Sequence, residues 1–133
     1  MLTIRQDQAE RLADAWFARQ MCAALRVESP ALVAHLSDRV LLHRARASLP
    51  RARRHGFTWK STLKAYFKLM LELGPRFDER PEFQRGLRCK LPNQRDRIRV
   101  ISLAVSEEEW RTAVGANDDS DWAELDREAA EGG

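Results

Sequence analysis

Three histidines, His35, His43 and His55, are the residues of this 133-residue chain best suited by type to act as a general base or a nitrogen ligand. His35 and His43 are eight apart, which sets them on related helix faces, but no HExxH pattern and no carboxylate completes a metal set. They read as ordinary surface or hydrogen-bonded histidines. Asp78, Glu79 and Glu82 cluster in the sequence and could be imagined as an acid and base pair. Carboxylates just after a helix stop more often cap the next helix, here one beginning near Pro81, and that is the reading adopted. There is no GxSxG nucleophile motif, and helix ends, Gly86 and the C-terminus account for all six glycines, leaving no phosphate-cradling loop. Cys22 and Cys89 match no zinc or redox spacing and read as buried thiols in a reducing compartment. The expectation is a chain with no catalytic residue, metal or cofactor, and not an enzyme.

The elements that would position any site are helical almost throughout. Thr3 and Gln6 fit a capping box, and Ala9, Leu12, Ala13, Trp16, Phe17, Met21, Ala24 and Leu25 repeat at the 3,4 spacing of one face, predicting a helix over 4–27. Ser29-Pro30 supplies an N-cap and a first-turn proline for a second helix carrying Leu32, Val33, Leu36, Val40 and Leu41. Pro50 removes a helix hydrogen bond, so a kink or restart is expected near Ser48-Leu49-Pro50. The helix then ends at Gly56. Thr58 or Ser61 caps the next helix, whose Leu63, Tyr66, Phe67, Met70 and Leu73 precede a stop at Gly74-Pro75. A short helix follows over Pro81–Leu87, and Leu91-Pro92-Asn93 opens another segment. Ile98, Val100 and Ile101 suit helix or strand, and helix is preferred because no partner strand exists elsewhere. Ser106 and Glu109 form a second capping box, for a helix ending near Gly115. The fold class is therefore all-α, a compact bundle of about five to seven helices. Residues 1–115 form the helical domain, and 116–133 an acidic tail in which Trp122, Leu125 and Ala129 share one helical face.

Charge is unevenly spread. Residues 106–133 hold ten acids against Arg111 and Arg127, a net of −8, so the remaining 105 residues carry +11 of the overall +3. Residues 39–71 contain nine Lys or Arg and no acid. Such separation favours oriented contact with an acidic partner, or folding of the tail onto the basic face. Trp16, Phe17, Tyr66 and Phe67 read as core, whereas Trp59 and Trp122 stand among charged residues and suit partner contact. The N-terminus lacks a signal-peptide run, and no segment approaches the ~18 apolar residues of a membrane span, so a cytoplasmic protein with no membrane contact is expected. The basic stretch from Arg39 to Lys68 offers a nucleic-acid alternative, ranked below protein binding because no helix-turn-helix, zinc finger or RNA-stacking motif accompanies it.

One block adds a resemblance. At Ala52-Arg53-Arg54-His55-Gly56-Phe57, then Tyr66, Leu69-Met70, Leu73-Gly74, Phe77-Asp78 and Pro81, the chain resembles small all-helical accessory proteins of bacterial type VI secretion effector loci. The opening Met1-Leu2-Thr3-Ile4-Arg5 with Gln8 is similar as well. The likeness covers residues 1–105 in layout and 52–81 in motif detail. It implies a non-catalytic co-adaptor or co-chaperone that binds an adaptor chaperone, effector or spike-tip protein and assists effector loading. An immunity protein neutralising a cognate effector is the alternative within the same setting. Arg51, Arg53, Arg54, Trp59, Trp122 and Leu125 are the expected partner-binding residues.

Overall fold

The computed structural model describes the backbone of residues 2–132 and the side chains of residues 8–125 and of Arg127. The capping box expected at Thr3 and the apolar position at Ala129 lie outside the described side chains. The first helix, α1 (Leu2–Glu28), has no internal proline or glycine and buries Ala18, Met21 and Leu25. It packs antiparallel on α3 (Asp38–Arg54). Arg26 bonds Asp38 at 3.0 Å near one end, and Arg53 holds Asp14 through two bonds of 2.8 and 2.9 Å near the other. Because α3 stops there, α1 runs on beyond it, and residues 8–13 are all exposed. The core assignment of Trp16 is thereby corrected: it is 58% exposed and Leu12 is 72% exposed. The 3,4 pattern of α1 spans a wider stripe than α3 can cover.

Between them α2 (Pro30–Val33) is a single turn, and Ser29 makes no capping bond. A continuous helix to Leu41 was expected, but the chain breaks at 34–37 because the Ser37 hydroxyl accepts the Val40 N–H and starts α3 afresh. Arg26 donates to the carbonyls of Val33 and Leu36 at the break, the Val33 carbonyl also accepting the Leu36 N–H. No restart occurs at Pro50, which sits inside one continuous helix. Pro50 is exposed, so the carbonyl it leaves unpaired faces water rather than core. Gly56, at φ 85°, then closes α3: Phe57 N–H bonds Ala52 C=O and Gly56 N–H bonds Arg53 C=O, satisfying two end carbonyls.

The central helix is α4 (Lys60–Leu73), which buries Leu63, Tyr66, Phe67, Met70 and Leu73. Neither Thr58 nor Ser61 caps it. Instead Gln94 accepts from the N–H groups of Thr58 and Trp59 and from the Thr62 hydroxyl. At its far end Gly74 turns the chain at φ 103°, and Asn117 donates to the carbonyls of Leu71 and Glu72. A 3-10 turn (Phe77–Glu79) leads to α5 (Pro81–Leu87), α6 (Gln94–Leu103), α7 (Glu107–Ala116) and α8 (Asp119–Gly132). Asn93 caps α6, which settles its helical character, and Ser106 with Glu109 forms the expected capping box of α7. Gly86 lets α5 and α6 touch: a Cβ there would lie 2.6 Å from the Ile101 Cα. Tyr66, Phe77, Phe83 and Trp110 form a row of rings at 5.1, 5.6 and 6.1 Å. The fold is all-α, with no strand among the described residues.

Candidate functional site

The six residues expected to meet a partner separate into two groups. Arg51 is buried and bonds Asp78 at 2.9 Å, while Asp78 also lies 2.9 Å from His55 Nε2. Asp78 therefore does not cap α5, and Arg80, the N-cap residue just before Pro81, makes no side-chain capping bond either. Burial pushes the Asp78 carboxyl up, but the bonds from His55 and Arg51 and the charge of Arg51 outweigh it and hold the group below its ordinary value. His55 stacks on Tyr66, whose hydroxyl has no hydrogen-bond partner among the described residues. Burial first, then the nearby Asp78 charge, raises the Tyr66 pKa. The cluster thus ties the end of α3 to the 3-10 turn and to α4, and it contains a histidine–carboxylate contact with no Ser, Thr or Cys joined to it by a described hydrogen bond.

Trp122 and Leu125 are not partner contacts either. They are 1% and 8% exposed, because α8 folds back on α3 and places Trp122 under the Arg44 guanidinium, 4.7 Å from the ring centre. Asp119 adds a 3.5 Å contact to Arg44, and Glu124 lies 3.4 Å from Arg76. Residues flanked by charge in sequence can still be core when the helix carrying them is amphipathic. Arg53 is committed to Asp14, and this bond lowers the Asp14 pKa. Arg54 and Trp59 remain at the surface, Trp59 42% exposed.

The surface feature that sequence reading missed is a cleft of about 540 Å³ between α4, α6 and α7. Its floor is Ala65, Leu69, Ile98, Val105 and Trp110; its rim carries Lys68 and Glu72 on α4, Arg99 and Ser102 on α6, and Glu107 on α7. Burial raises the Glu72 pKa against the opposing charge of Lys68, 4.0 Å away. The cleft exists because α6 and α7 diverge where Val105 and the capped Ser106 turn the chain. Its floor residues come from α4, α6, α7 and the turn between α6 and α7, and only the angle between the three helices makes them one surface.

Cys22 is half-buried, and burial pushes its thiol up to about 11, so it is a poor nucleophile. Among the described residues no three His, Cys, Asp or Glu side chains gather as a metal set, and no helix is long and apolar enough to cross a membrane. No protein-family model, curated protein or solved structure was found to match the chain.

Proposed function

We propose that this chain is a non-catalytic accessory protein that binds an adaptor chaperone or toxic effector and assists its loading for type VI secretion. The observation that carries the binding role is the cleft between α4, α6 and α7. Its apolar floor and charged rim suit an amphipathic segment of a protein partner, laid between helices with its apolar side chains inward. Its polar groups stand on the rim rather than converging on one point, which favours a chain segment over a small molecule. The secretion setting comes from the sequence resemblance through residues 52–81. Its glycines and aromatics serve here as helix ends and core, leaving the cleft, formed largely outside that block, to make the contact. Co-expression with the adaptor chaperone of its own locus should yield a complex that survives size-exclusion chromatography. Separate elution at micromolar concentration would remove the adaptor reading, and rescue of effector-expressing cells by the chain alone would assign immunity instead.

A further inference from the structure

A second surface lies where α3 ends and α6 begins. Residues 84–97 carry Arg85, Arg88, Lys90, Arg95 and Arg97 against the single acid Asp96. Gln94 stitches this segment to the turn before α4: it accepts from the N–H groups of Thr58 and Trp59 at 2.8 and 3.1 Å and donates to the Thr58 hydroxyl at 2.8 Å. Arg97 reinforces the join by donating to the carbonyls of His55 and Gly56 and lying over the Phe57 ring. The exposed Trp59 and Lys60 are thus held at the same end of the molecule as Leu91, 43% exposed, and Arg95. Among the described residues no carboxylate forms an ion pair with Arg54, Lys60, Lys90 or Arg95. On α7 and α8, Glu107, Asp119 and Glu124 pair instead with Arg111, Arg44 and Arg76.

We infer that this end binds an acidic protein segment that carries an apolar anchor residue. Uncompensated cations set the sign of the partner, and the exposed Trp59 with Leu91 supplies apolar contact for an anchor side chain. The net −8 of residues 106–133 further weakens attraction to a long polyanion. This surface lies apart from the cleft, so either can fail without the other.

The test uses the full chain and a labelled synthetic peptide of Glu and Asp around a central Leu-Trp pair, with a single-stranded oligonucleotide as competitor. Fluorescence anisotropy at low salt should show binding in the range of about 10–100 µM that is lost near molar salt. Changing Lys90→Glu and Arg95→Glu together should weaken it about tenfold or more. Trp59→Ala should weaken it while leaving the salt dependence intact. All three positions are exposed, so helix content by circular dichroism should be unchanged. Equal binding by the charge-reversed variant, or an oligonucleotide that binds more tightly than the peptide, would overturn the inference.

Discussion

At the scale of single residues, the contact that most constrains the centre of the molecule is Arg51 with Asp78, both side chains about nine-tenths buried. A buried pair stabilises only while both members are present, and removing one leaves an uncompensated charge at a cost of about 3–5 kcal/mol. The folded-state pKa of Asp78 is depressed, so its contribution is present above the ordinary carboxylate value of about 4 and is lost as pH falls through the lower folded value. Denaturant titrations from pH 7 to pH 2 should therefore show wild-type stability dropping below about pH 4. Asp78→Asn should be less stable at pH 7 and show a shallower acid slope; an unchanged slope would mean another carboxylate carries it. Trp122 makes a different prediction from the one its sequence context suggests. Trp122→Ala should lower stability by about 3–5 kcal/mol, read from chemical denaturation, because a ring buried under Arg44 is lost. Affinity for a partner that changed with no loss of stability would return Trp122 to the surface.

At the scale of elements, helix ends were legible and helix contacts were not. Gly56, Gly74, Asn93 and Ser106 act where their chemistry announces an end, since capping is local and needs only neighbours in sequence. Thr58 and Ser61 were the expected caps of α4, yet Gln94 from a distant helix takes that work, as Asn117 does at the other end. Long-range side chains of this kind leave no trace in local spacing. Trp16 and Leu12 failed for a related reason, because a 3,4 pattern marks an apolar stripe without saying how far a neighbouring helix extends. Two glycines test the packing directly. Gly86→Ala should lower stability by about 1–3 kcal/mol, since its methyl would meet the α6 backbone, whereas Gly115→Ala meets nothing and should gain up to about 1 kcal/mol from helix propensity. Thermal melts of the two variants moving in the same direction would contradict the α5 to α6 contact.

For the whole molecule, the all-α class followed from periodicity and capping alone, while the candidate site did not. Of the six residues expected at an interface, Arg51, Trp122 and Leu125 are buried, Arg53 pairs with Asp14, and Arg54 and Trp59 stand at the surface. The charge asymmetry was read correctly as a layout, but part of it is neutralised internally: α8 folds back, and Asp119 and Glu124 meet Arg44 and Arg76. Arg54, Lys60, Lys90 and Arg95, with no ion pair among the described residues, gather at the opposite end of α3, beside α6. The cleft could not be foreseen because it depends on how three helices diverge. It is also where the proposed role stands or falls. Ser102 lines it from an exposed position on α6, so Ser102→Trp should fill the opening without disturbing the core. Isothermal titration of the purified adaptor chaperone or effector into wild-type and Ser102→Trp protein should show at least about a tenfold rise in Kd for the variant. The same Kd for both proteins would contradict docking through the cleft.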